Sequence, residues 1–161
     1  MGEGSTMGRV LGIYTAPAEG APMVAHASIE ALAGQGLAGD RYAIAAGSYS
    51  GKRLDDAQRA ITLFARETLD AVAAEHDIVL TPEQTRRNLL VEGLALNDLV
   101  GVTFTVGGVE MRGIDLAHPC AYLQELTQPG VLRALTDRGG VRAEILTSGL
   151  ITLGAPIHVP G

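Results

Sequence analysis

The feature that most constrains this chain is its punctuation. Short runs rich in Val, Ile, Leu and Thr recur along it, each closed by glycine or another turn residue: Arg9–Thr15, Val24–Ile29, Ala60–Phe64, Asn88–Val91, Thr103–Val106, Val109–Ile114, Val141–Leu146, and Leu150–Leu153 with Ile157–Val159. Such residues favour a pleated, half-buried surface, and turn residues between them mark strand ends. Glycine fills 21 of 161 positions, about twice the usual roughly 7%. Gly107-Gly108 reads as a two-residue hairpin turn, because glycine tolerates the positive φ such turns need. Ser148-Gly149 is expected to make another. Many short strands joined by tight turns imply an all-β sandwich or barrel rather than a parallel α/β sheet.

Helical sequence is sparser. Between Ala65 and His76, Leu69, Val72, Ala73 and His76 fall at i, i+3, i+4 and i+7, one amphipathic face. Leu94–Leu99 suits a single turn stopped by Gly101. Cys120–Thr127, framed by Pro119 and Pro129, and Gly130–Asp137, closed by Gly139-Gly140, suit short helices. The stretch from Gly34 to Arg59 follows neither period, apart from a brief strand expected over Tyr42–Ala45. A stretch of that length in a compact domain is usually functional or mobile.

Composition then narrows the function. The net charge is −6 and aromatics are 4% with no Trp. That is a poor basis for holding a phosphate backbone or stacking bases, so no nucleic-acid partner is expected. No apolar run nears the roughly 20 residues of a membrane span. Eleven of the 12 basic residues are Arg, with Lys52 the sole lysine. Arg is the fork suited to phosphate and carboxylate, so a local anion site remains open. A single cysteine, Cys120, excludes an internal disulfide framework and fits a reducing, cytoplasmic setting. Residues 1–6 read as a tail, and 7–161 as one domain.

Cys120 is the foremost candidate for chemistry. His118-Pro119-Cys120 reads as a strand exit, a restricted turn and a helix start. A thiol in a first helical turn meets unpaired N–H groups that favour the thiolate, the form that attacks sulfur or ligates a soft metal. The plainer alternative is a small buried apolar side chain. Arg87 and Asn88 lead into one β-like run; Arg138, Gly139, Gly140 and Arg142 lead into another. Arg grips anions, Asn both donates and accepts, and paired glycines let backbone amides approach a ligand. Solvated turns are the alternative there. Asp40 and Arg41, in Gly36-Leu37-Ala38-Gly39-Asp40-Arg41-Tyr42, could cap a turn or line a site. No phosphate-loop, dinucleotide or nucleophile-elbow motif is present. A histidine–cysteine zinc site lacks any spacing motif, and a pyridoxal phosphate Schiff base on Lys52, set in a loop, is not expected.

The order of these pieces carries more than any one of them. After the glycine-rich segment 36–42 come Arg59-Ala60-Ile61-Thr62-Leu63, then Arg86-Arg87-Asn88-Leu89-Leu90-Val91-Glu92-Gly93-Leu94 and Leu99-Val100-Gly101-Val102-Thr103-Phe104-Thr105-Val106-Gly107. Pro119-Cys120, Arg138-Gly139-Gly140-Val141-Arg142-Ala143 and Ser148-Gly149-Leu150-Ile151-Thr152-Leu153-Gly154 complete the series. This succession, from about Arg9 to Val159, resembles the MOSC domain, named after the C-terminal domain of molybdenum cofactor sulfurases. The resemblance implies a mainly β fold, a closed barrel with a few short peripheral helices. It also implies that Cys120 carries sulfur as a persulfide or ligates the molybdenum of molybdopterin. Arg87, Asn88, Arg138, Gly139, Gly140 and Arg142 would then contact the pterin phosphate or other anionic groups, with Asp40 and Arg41 lining the site.

Two departures stand out. Tyr42 replaces a histidine frequent in the family, and Gly154-Ala155-Pro156 stands where many relatives have Gly-Asp. Neither a desulfurase domain nor the extra N-terminal barrel of amidoxime-reducing relatives is expected, so electrons or sulfur would come from a partner protein. A non-catalytic binding module for a pterin or another phosphorylated metabolite, and a purely structural or oligomerising domain, are the competing classes. Cys120→Ser separates the first two, and a sealed Cys120 remote from every Arg would mark the third.

Overall fold

The computed structural model describes residues 6–18, 21–40, 43, 60–117 and 127–160. Eleven strands occur among them: β1 (Thr6–Thr15), β2 (Val24–Ala25), β3 (Ser28–Leu32), β4 (Gly36–Leu37), β5 (Ile61–Ala65), β6 (Leu89–Glu92), β7 (Thr103–Val106), β8 (Val109–Leu116), β9 (Val141–Ile145), β10 (Gly149–Thr152) and β11 (Pro156–Val159). Seven of them close a barrel in the order β11-β7-β8-β9-β5-β6-β1, with β1 returning to β11. β2 extends β1, and β10-β3-β4 form a separate small sheet.

A ring of seven strands cannot be antiparallel throughout. Each antiparallel pairing reverses direction, and an odd number of reversals never returns to the start. One parallel pairing is therefore required, and it falls between β5 and β6, where Leu63 lies opposite Leu89 and Ala65 opposite Val91. A parallel pair needs a long crossover. The helix Arg66–His76 and the segment after it supply that crossover. The all-β expectation thus holds with one embedded β-α-β unit.

Strand alternation sorts the side chains into two apolar clusters. Val141, Ala143 and Ile145 of β9 join Ile61, Leu63, Leu89, Val91, Phe104 and Met111 in the larger one. Arg142 and Glu144, at the intervening positions, point the other way. Phe64 and Leu90 pack instead against Val72, Val131, Ala134 and Leu135, in the layer between strands and helices. Burying such a large apolar side chain contributes roughly 1.5–3 kcal/mol. On the crossover helix Val72 is buried and Leu69 packs against this layer, but His76 is exposed, so the apolar face ends before the last turn.

Most runs expected as strands are strands. Gly107 and Gly108, at φ 57° and 91°, turn β7 directly into β8, with Val106 opposite Val109. Several local expectations need correction. Ser148-Gly149 does not join a hairpin, because β10 pairs with β3 and not with β9; the Ser148 hydroxyl instead accepts the Ala33 N–H at 2.9 Å. Val24–Ile29 is broken by His26-Ala27 into β2 and the start of β3. β4 lies in the stretch that had no clear period. Of the strand expected at Tyr42–Ala45 only Ala43 is described, with helical backbone. Gly130–Asp137 keeps a helix over Val131–Ala134. The helix expected over Cys120–Thr127 lies outside the described residues, save Thr127.

Candidate functional site

Of the residues singled out from sequence, Arg87, Asn88, Gly139, Gly140 and Arg142 lie where β6 begins and β8 and β9 meet, and Asp40 lies at the end of β1. Arg87 is the centre of one corner. Its side chain is buried, its Nε donates to the Gly139 carbonyl at 2.8 Å, and its Nη2 donates to the Ala117 carbonyl at 3.3 Å. The Ala117 N–H in turn donates to the Gly140 carbonyl at 2.8 Å. One guanidinium therefore ties the start of β6 to the end of β8 and the start of β9. Carbonyl acceptors make such burial tolerable, since a permanent charge removed from water must be hydrogen-bonded. Gly140, at φ 102°, lies so close to β5 that an added Cβ would sit 2.3 Å from the Leu63 carbonyl oxygen. The close approach that Gly140 permits is thus to a neighbouring strand.

Asn88 is fully buried beside this corner. Its Oδ1 accepts from the Thr62 N–H at 2.9 Å and the Thr62 hydroxyl at 3.1 Å. The Asn88 N–H donates back to that hydroxyl at 3.0 Å, and Nδ2 donates to the Tyr14 carbonyl at 3.1 Å. The amide binds β6 to β5 on one side and β1 on the other. Burial, and secondarily the Glu83 carboxylate, push the Tyr14 phenol above its usual pKa, so it stays neutral. Arg142, half-buried on β9, lies in register between Thr62 of β5 and Asp115 of β8, where β8 bulges after Gly113.

Asp40 ends the turn after β4. Its N–H donates to the Leu37 carbonyl at 3.0 Å, and its fully buried carboxylate accepts the Ala16 N–H at 2.9 Å. The small sheet is thereby fastened to the end of β1. Arg86 has a left-handed backbone at φ 62°, unusual for a side-chain-bearing residue, and donates through Nη1 to the Ala21 carbonyl. Arg86 and Arg87 thus engage different segments, the first the loop after β1 and the second the β8–β9 junction.

Arg138 goes elsewhere. Its Nε donates to the Ala134 carbonyl at 2.8 Å, and its Nη atoms pair with Glu75 at 3.3 and 3.4 Å on the crossover helix. Exposed pairs of this kind contribute little. Arg138→Gln is expected to lower stability by about 1 kcal/mol or less, read from the midpoint of a urea transition. Arg41 and Cys120, like His118, Tyr42 and Lys52, lie outside the described residues.

Sequence reading missed one pair entirely. The Thr15 side chain, at the end of β1, meets His26 Nε2 at 2.7 Å. No spacing rule joins these residues; they meet only because the chain returns along β2. An open depression of about 350 Å³ lies near the opposite end of β1, lined by Met7, Gly8, Arg9, Glu67, Glu92 and Gly93. There Glu92 pairs with Arg9 at 2.6 Å and with Arg66 at 3.0 Å, and the Glu67 carboxylate accepts the Gly93 N–H at 2.8 Å. Among the described residues no helix is long and apolar enough to cross a membrane.

Comparison with solved structures returns the same architecture. The YuaD protein from Bacillus subtilis superposes with a TM-score of 0.78 at 17% identity, over 96% of this chain and 96% of that one. YiiM from Geobacillus stearothermophilus gives 0.68 at 17% identity, over 96% and 75% respectively. YiiM from Escherichia coli gives 0.65 at 18% identity, over 95% and 70%. At such identities the likeness concerns the fold alone. No curated protein matches the sequence. The MOSC domain family model, however, matches residues 37–158, which takes in the Arg87 corner, Asp40 and Cys120 alike. With the seven-stranded barrel and the ordered motifs meeting in that one span, this chain belongs to the MOSC domain family.

Proposed function

We propose that this MOSC protein binds the molybdenum cofactor or carries sulfur for it, with Cys120 as the reacting thiol. The observation that carries the reading is the Arg87 corner: a buried, permanent positive charge bonded to Ala117, three residues before Cys120. Three residues of chain span at most about 11 Å. The Cys120 Cα is therefore tethered within that distance of the Cα of Ala117, the residue whose carbonyl the guanidinium holds.

Among the described residues no three His, Cys, Asp or Glu side chains are placed to hold a metal ion. A metal already held by a pterin would need one soft thiolate from the protein, and Cys120 is the thiol this chain offers. When bound, the cofactor would supply redox-active molybdenum. Cys120 would be the protein's ligand, and Arg87 and Arg142 would face anionic groups of the pterin. Gly139 and Gly140 would shape that corner, Asn88 would hold Arg87's strand in place, and Asp40 and Arg41 would line the edge near β1. In the sulfur-carrier form, the Cys120 thiolate attacks the outer sulfur of a donor protein's persulfide. The S–S bond breaks, the donor leaves as thiolate, and Cys120 retains the sulfur.

Native mass spectrometry with metal analysis tests this on protein made in a molybdopterin-producing host. Wild type is expected to retain a molybdenum-bearing pterin or an extra sulfur on Cys120, and Cys120→Ser to lose it at least tenfold. Pterin retained equally by both, without molybdenum or persulfide, would favour the non-catalytic binding module. Neither species on wild type would overturn the reading.

A further inference from the structure

We draw no further inference here: the strongest candidate, the edge of the small sheet at β10, with Leu150 exposed on the strand and Leu153 exposed just past it, carries nothing because nothing in the structure shows what covers it.

Discussion

Replacing Gly140 with alanine is expected to cost the barrel about 3–5 kcal/mol, one of the largest single-residue effects in the molecule. Two penalties combine. At φ 102° the backbone occupies a region closed to side-chain-bearing residues except under strain, worth about 1–3 kcal/mol. The new Cβ would also stand 2.3 Å from the Leu63 carbonyl oxygen, a contact that backbone cannot swing away from. Relief requires β9 to retreat from β5, which weakens the Leu63–Val141 pairing and the bond from the Ala117 N–H to the Gly140 carbonyl. Gly154→Ala is the matched control. Gly154 has φ 83° and open space around its missing Cβ, so strain alone acts there and costs about 1–2 kcal/mol. Urea denaturation of both variants separates the terms. For a chain this size the Gly140 variant should melt about 10 °C lower or more. Equal losses at the two glycines would show that the close approach to β5 is not what Gly140 serves.

Strands and glycine turns were legible in the sequence because both act locally. Val141, Ala143 and Ile145 alternate with Arg142 and Glu144, and that alternation survives unchanged as inward and outward positions on β9. Gly107-Gly108 needs nothing beyond its own φ values to make a hairpin. The parallel β5–β6 pair was not legible, since it follows from the parity of a closed ring, a property of the whole set of strands. Ser148-Gly149 has turn chemistry as good as many hairpins, yet β10 finds its partner in β3, far away in sequence. The candidate site divides along the same line. Arg87 and Arg138 are the same residue type, each beside β-like sequence, and nothing local distinguishes them. Tertiary contacts do: one reaches the β8–β9 junction, the other Glu75 on the crossover helix. Thr15 and His26 carry no shared motif at all, and their pairing depends on the return of the chain through β2.

Asn88→Ala should be comparably severe, at about 3–5 kcal/mol, although sequence alone suggested a ligand contact for this residue. The methyl group of alanine deletes three interactions at once. The Thr62 N–H and hydroxyl lose their shared acceptor, and the Tyr14 carbonyl loses its donor. Each buried group left unpaired costs about 1–3 kcal/mol, less whatever rearrangement recovers. The position amplifies the loss, because Asn88 opens β6, the strand whose parallel pairing with β5 closes the ring. Asn88→Asp refines the expectation. It keeps an acceptor for Thr62 but sets a carboxylate oxygen against the Tyr14 carbonyl, so its loss should be smaller than alanine's near pH 4 and should grow as the buried carboxyl is forced to ionise. The sign follows from linkage: a folded-state pKa raised by burial makes the variant relatively more stable while the group is protonated, and that gain disappears as pH rises through the raised value. Denaturant midpoints for Asn88→Ala and Asn88→Asp, taken from pH 4 to 8, check both statements. Were Asn88 chiefly a ligand contact, Asn88→Ala would unfold at nearly the wild-type midpoint while losing only bound phosphate or pterin. A fall in stability without ligand present instead makes the amide a fastener of the barrel, and makes Arg87, held on the same strand start, the group that such fastening keeps in place.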